Sequence, residues 1–242
     1  RFPPDPRLIA FEAPGSPTFA SGSGGAVVVH DEHGFDRDYW EERYSASGLA
    51  WSGNPNPVLV TDVTPLPPGR ALDVGSGEGA DAIWLAQHGW QVTGVDIATS
   101  ALTKAKARAE SLDPVAADRI DWRQRDVTEW SPSPRAFDLV SAQFMHLPEP
   151  ARTTLFRALA AAVAPGGTLL IVGHDASDVG PDSPHQGHLA DLMFSVEDVL
   201  AAIAREELQI EVAESRRRNP APAPGSEFHQ DVVVRASRAT SI

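Results

Sequence analysis

The 242-residue sequence predicts an α/β fold: a mostly parallel sheet with helices on both faces, closed by an antiparallel strand pair. Three observations carry this expectation. Short apolar runs alternate with helix-patterned stretches between residues 70 and 172. The first of these runs enters a glycine-rich turn. Two late strand patterns, 208–213 and 229–235, flank the turn-rich Asn219-Pro220-Ala221-Pro222-Ala223-Pro224-Gly225 and read as an antiparallel pair.

Taken in order, residues 1–34 read as a flexible or loosely packed arm. They hold Pro3, Pro4, Pro6, Pro14 and Pro17 and a Ser/Gly run at 21–25, and 26–29 is a candidate short edge strand. From residue 36 to 44 the chain turns aromatic and charged, with Tyr39, Trp40 and Tyr44 at helical spacing. Residues 51–57 form a turn-rich loop. A strand at 70–74 leads into the glycine turn, and a helix at 80–88 ends at Gly89. Strand 91–95, an Ala/Lys-rich helix at 100–111, and strands 120–124 and 137–141 follow. An amphipathic helix at 149–164 is closed by Pro165-Gly166-Gly167, and strand 168–172 comes next. Ser195 opens a further helix, with Asp198 as its capping-box partner. Residues 35–238 therefore read as one domain, with 239–242 as a tail. No internal repeat is visible.

The composition narrows function. Net charge is −13, and Arg216-Arg217-Arg218 is the only run of three or more basic residues; it reads as a solvated loop. This argues against a nucleic-acid partner, which selects for a basic face. There is no cysteine, so disulfides, Cys-ligated zinc and a Cys nucleophile are excluded. No apolar stretch approaches the ~20 residues of a membrane helix, and no signal-peptide pattern is present. A cytoplasmic protein is the expectation. Oligomeric state is not readable.

The glycine turn, Asp73-Val74-Gly75-Ser76-Gly77-Glu78-Gly79, lies at a strand-to-helix junction. Glycines there let a ligand approach the backbone, and the following helix offers free N–H groups. Gly75 to Ala80 also fits the dinucleotide pattern G-x-G-x-x-G/A, so the turn alone admits a nicotinamide cofactor. Asp96, 21 residues after Gly75, can accept from ribose hydroxyls in either case. The neighbours discriminate. Asp73 suits an ammonium group and would repel a pyrophosphate. Asp126 follows the third strand, where a carboxylate can accept from an adenine amino group.

The ensemble of turn, Asp96, Asp126-Val127, Pro165-Gly166-Gly167 and closing strand pair resembles class I S-adenosylmethionine-dependent methyltransferases. The resemblance covers roughly residues 35–238, which would then be a single methyltransferase domain. It implies a Rossmann-like sheet of seven strands, mostly parallel, with a C-terminal antiparallel strand. It implies S-adenosyl-L-methionine as cofactor, S-adenosyl-L-homocysteine as product and a small-molecule methyl acceptor. The segments holding Tyr39, Trp40, Arg43 and Tyr44, then Trp51 to Pro57, then Gly77 to Ala86, are similar to the tellurite-resistance and thiopurine methyltransferase branch. There the N-terminal segment folds over the cofactor. By that likeness Arg43 and Trp51 enclose the methionine end with Asp73, while Gly75, Gly77, Asp96, Ile97, Asp126, Val127 and Gln143 complete the cofactor set. Packing of Trp40, Tyr44 and Trp51 on the sheet is the alternative.

Methyl transfer needs alignment, exclusion of water and, for some acceptors, removal of a proton. His146, beyond the fourth strand, is the candidate base; shaping the pocket is its other reading. The absence of cysteine removes the covalent route to cytosine carbon methylation, and no Asn-Pro-Pro-Tyr-like run follows the fourth strand. His174-Asp175 reads as either a substrate contact or a solvated loop. His185 and His188, with Asp182 and Asp191, read as part of a substrate lid rather than a metal site. His30 and His33 support no functional assignment. The rival functions are a nicotinamide-dependent oxidoreductase and a cofactor-binding module without turnover.

Overall fold

Strand order explains where a site can form. The computed structural model describes residues 36–178, 191–218 and 228–240. Seven strands form one sheet: β1 Arg70–Val74, β2 Gln91–Asp96, β3 Ile120–Gln124, β4 Phe137–Gln143, β5 Val163–His174, β6 Leu208–Arg217 and β7 Gln230–Arg238. Their order is β3-β2-β1-β4-β5-β7-β6. β1 to β5 are parallel, and β7 runs antiparallel between β5 and β6. The direction of winding reverses at β1, between β2 and β4. The carboxyl ends of those strands are therefore the expected ligand crevice.

Among the described residues seven α-helices accompany the sheet: α1 Arg37–Ser45, α2 Pro57–Val63, α3 Ala80–Gln87, α4 Thr99–Leu112, α5 Pro114–Ala117, α6 Ala151–Ala162 and α7 Val196–Ile203. The two-residue period of the strands divides the core. Leu72, Val74, Val140, Leu169 and Ile171 face α6 and α7, where they meet Phe156, Leu159 and Ile203. Ala71, Leu139, Leu170 and Val172 point the other way, toward Leu59, Val63, Leu85 and Ala86 of α2 and α3. Central strands buried on both faces read as unbroken apolar runs, which is why the sequence exposed them. Each fully buried Leu contributes roughly 1.5–3 kcal/mol relative to exposure.

Several expectations change. The loop after Trp51 stops at Asn56. The Asn56 Oδ1 accepts from the Val58 N–H at 2.9 Å, and Pro57 occupies the first turn of α2, a helix not anticipated. The short helix α5 was likewise not read. α6 is shorter than 149–164, because Val163 already pairs with Phe137 and the Pro-Gly-Gly stretch lies within β5. Arg216 and Arg217 are not in a solvated loop: they belong to β6. Arg216 pairs with the buried Asp62 at 3.0 Å, and Arg218 pairs with Asp231 at 3.4 Å. The 1–34 arm with its candidate strand, the 182–188 lid and the 219–225 turn lie outside the described residues. No described helix is long and apolar enough to cross a membrane.

Candidate functional site

β1 delivers the chain into the crevice. Gly75 and Ser76 both donate from backbone N–H to the Val95 carbonyl at 2.9 Å, which fastens the turn to β2. Gly75 has φ 71° and Gly77 φ 51°, conformations that disfavour any side chain. Space matters as well. A Cβ on Gly75 would collide with Met145 Sδ, and one on Gly77 would stand 2.9 Å from the Tyr44 hydroxyl. α3 begins after Gly79, which has no side chain to cap it, and the Asp73 carboxyl accepts from the Ala82 N–H in its first turn.

Three of the expected site residues are carboxylates at strand ends. Asp73 is 2% exposed, and its Oδ2 has no hydrogen-bond partner among the described residues. Burial holds its carboxyl well above the usual range, and Asp81 and Asp96 push the same way. Such a group is stabilised by a cationic donor. Asp96 accepts from the Gly77 N–H at 2.8 Å and the Ala98 N–H at 2.9 Å. Burial outweighs those bonds and pushes its carboxyl up to about 6. Asp126 is half-buried, and its Oδ1 accepts from the Thr128 N–H and hydroxyl at 2.9 and 2.7 Å. Val127 beside it packs on the main core, and the Ile97 carbonyl accepts from Gln124 Nε2 at 3.1 Å. Gln143, closing β4, accepts from Asn56 Nδ2 at 2.8 Å and donates to the Ser141 hydroxyl at 2.9 Å.

α1 and the following loop roof the turn. Asp36 caps α1 by accepting from the Tyr39 N–H at 3.0 Å. Glu41, one turn on, accepts from the Thr99 and Ser100 N–H groups at 2.6 and 3.0 Å, so it caps α4 from a separate helix. Trp51 Nε1 donates to the Tyr44 hydroxyl at 2.8 Å, directly above Gly77. The Arg43 guanidinium lies 4.7 Å from the Trp51 ring centroid, and its Nε is buried with no hydrogen-bond partner among the described residues. Arg43, Trp51 and the glycine turn thus lie close together. Tyr44 was missed as a site residue. Its helical spacing was visible, but the approach of its hydroxyl to Gly77 was not.

The crevice continues along β4 and β5. His146 Nε2 accepts from the His174 N–H at 3.3 Å. Burial draws the His146 imidazole well below its ordinary value, helped by His174 and Arg152, so it is neutral. His174 and Asp175 are buried, at 1% and 5% exposure, which overturns the solvated-loop reading. His174 Nδ1 lies 3.3 Å from Asp231, and its ring stacks on Phe228 with centroids 4.2 Å apart. The Arg218 guanidinium covers the Phe144 ring at 5.6 Å.

Comparison with known proteins adds the deciding observation: residues 71–167, the stretch from β1 into β5, match the family described as "Methyltransferase domain". Residues 71–167 are thus a methyltransferase domain. A ubiquinone biosynthesis O-methyltransferase of Xanthomonas campestris pv. campestris is 37% identical over 122 residues, 48% of this chain and 48% of that protein. A probable thiol methyltransferase 2 of Arabidopsis thaliana is 31% identical over 104 residues, 42% and 45% of the two chains. The matched stretches thus span about half the length of these curated relatives. In fold, the domain is similar to an S-adenosylmethionine-dependent methyltransferase from Mesorhizobium loti. The TM-score is 0.62 at 21% identity, over 75% of this chain and 96% of that one. The methyltransferase domain also departs from the doubly wound dinucleotide sheet at its end, where β7 inserts antiparallel beside β5. Its cradle fits the family's cofactor: Asp73 Oδ2 offers an acceptor for an ammonium group, and the glycine turn leaves room at the backbone.

Proposed function

We propose that residues 35–238 act as one unit that transfers the methyl group of S-adenosylmethionine to a small-molecule acceptor by in-line displacement. The observation that carries this reading is the buried Asp73 carboxylate, with an oxygen unmatched among the described residues, beside a glycine turn at the carboxyl edge of the sheet. A phosphate-bearing cofactor would be repelled there; an ammonium group would be held. The cofactor supplies an electrophilic methyl group on a sulfonium. In this reading Asp73 binds the ammonium group and Arg43 the carboxylate, with Trp51 covering them. Asp96 accepts from the ribose hydroxyls. Asp126, Ile97 and Val127 form the adenine pocket. Gly75 and Gly77 permit close approach, and Gln143 closes the floor at β4.

His146 is the proposed base for acceptors that must lose a proton. Its neutral form is maintained at physiological pH. The 3.3 Å contact to the His174 N–H is long for a hydrogen bond, so an acceptor hydroxyl can compete for the same lone pair. A thiol or another soft nucleophile needs less help. The net charge of −13 supports a small acceptor over a nucleic acid, and a cytoplasmic setting suits a chain without cysteine.

Calorimetry tests the cofactor assignment: S-adenosylmethionine and S-adenosylhomocysteine bind, and NADH does not. Failure of both sulfur ligands to bind the intact protein, while a control methyltransferase binds them, would sink the reading. A screen of phenols, thiols, metalloid oxyanions and amines, read as S-adenosylhomocysteine release, then identifies the acceptor. Binding without turnover on the whole panel would support the cofactor-binding module instead.

A further inference from the structure

Glu78 sits between the two glycines Gly77 and Gly79, yet its carboxylate does not face solvent: the residue is 3% exposed. Both oxygens accept from the Ala50 N–H, at 3.1 and 2.9 Å, and Oε2 also accepts from the Trp51 N–H at 3.3 Å. Lys104 of α4 completes the arrangement. Its Nζ lies 3.4 Å from Glu78 Oε1 and donates to the Ala46 and Gly48 carbonyls at 2.7 Å each. Arg108, one helical turn on, donates to the Gly53 carbonyl and to the Glu78 carbonyl. The loop from Ala46 to Gly53 has no helix or strand of its own. It is held by one carboxylate from the cofactor turn and two cations from α4.

This loop carries Trp51, and Trp51 in turn positions Tyr44 and Arg43. We propose that Glu78 is a positioning residue for the cofactor. It ties the loop to the glycine turn, so the roof and the floor of the crevice are built on the same two-residue step. Lys104 neutralises the carboxylate, which would otherwise repel the carboxylate end of the cofactor. The proposal rests on the methyltransferase reading above.

The experiment uses S-adenosylhomocysteine with the full chain, so no acceptor is needed. Its readouts are the dissociation constant from calorimetry and the change in tryptophan emission that is lost in Trp51→Phe. Glu78→Ala is expected to weaken binding by about tenfold or more, the scale of lost charge-assisted hydrogen bonds. It is also expected to abolish the Trp51 signal. Glu78→Gln, which keeps one acceptor oxygen, restores most of both. Lys104→Met falls between them and keeps the proposal testable if Glu78→Ala does not fold. Wild-type affinity and a wild-type Trp51 signal in folded Glu78→Ala or Lys104→Met would overturn the proposal. So would a lowered melting temperature with unchanged affinity, since that marks a purely structural role. Absence of binding by the wild-type chain is a different failure: it removes the cofactor assignment itself.

Discussion

At the scale of single residues the site is organised around carboxylates held out of water. Asp73 and Asp96 are both raised by burial, so each makes the empty crevice less stable and a cationic ligand more welcome. Asp73→Asn therefore has two opposite effects. The ligand-free protein melts at a higher temperature, because a carboxyl that burial, Asp81 and Asp96 all disfavour in its charged form is gone. Affinity for S-adenosylmethionine falls by roughly tenfold to a hundredfold, read by calorimetry. A loss of stability with unchanged affinity would show that Asp73 serves the fold alone. The pH dependence follows the same sign. Asp96 binds its proton more tightly folded than unfolded, so its penalty on the ligand-free protein is full above about pH 6 and relieved as pH falls through that value toward 3.8. Cofactor affinity moves the other way. It is highest above about pH 6 and declines below it, a trend that calorimetry between pH 5 and 8 checks.

Not all of this was written in the local sequence. Gly75, Gly77, Asp73 and Asp96 were readable because turn geometry and strand ends demand those residue types at fixed spacing. Tyr44 and Glu78 were not. Their roles depend on contacts between segments that lie 26 or more positions apart, as in the Lys104–Glu78 and Trp51–Glu78 bonds, and no spacing rule reaches across them.

At the scale of elements the same division holds. Alternating apolar strands and amphipathic helices are visible because burial imposes their periods. The boundary between α6 and β5 was misplaced because an alanine-rich run satisfies a helix and the start of a buried strand equally well. α2 was hidden by the prolines around it, although Asn56 and Pro57 together are a helix-start signal. Asn56 also joins that helix to the site. Besides capping α2, it donates to Asp81 Oδ1 at 2.6 Å and to Gln143 Oε1 at 2.8 Å. Asn56→Ala is expected to destabilise the protein by about 1–3 kcal/mol in urea unfolding. Asn56→Ser, which keeps a cap but cannot bridge to Gln143, falls between that variant and the native chain. Equal losses for both variants would assign the whole effect to the bridge.

At the scale of the molecule, the insertion of β7 between β5 and β6 was the least legible feature. Both late strands were foreseen, but their order in the sheet is set by pairing with β5, from Thr168 opposite Ser237 to His174 opposite Asp231. This arrangement has a bearing on synthesis. Every proposed cofactor contact lies between Arg43 and Gln143, so the binding crevice is translated long before the sheet can be completed. Until residues 230–238 emerge, β5 shows a bare apolar edge and β6 has no neighbour to pair with. A nascent chain in that condition is a client for chaperones rather than a small enzyme awaiting a decoration. A stop codon after Arg218 therefore does damage out of proportion to its distance from the crevice. Such a chain keeps every one of those residues, yet is expected in the insoluble fraction on expression. Its recovery as soluble protein that binds S-adenosylhomocysteine would show that the β1 to β5 half is self-sufficient.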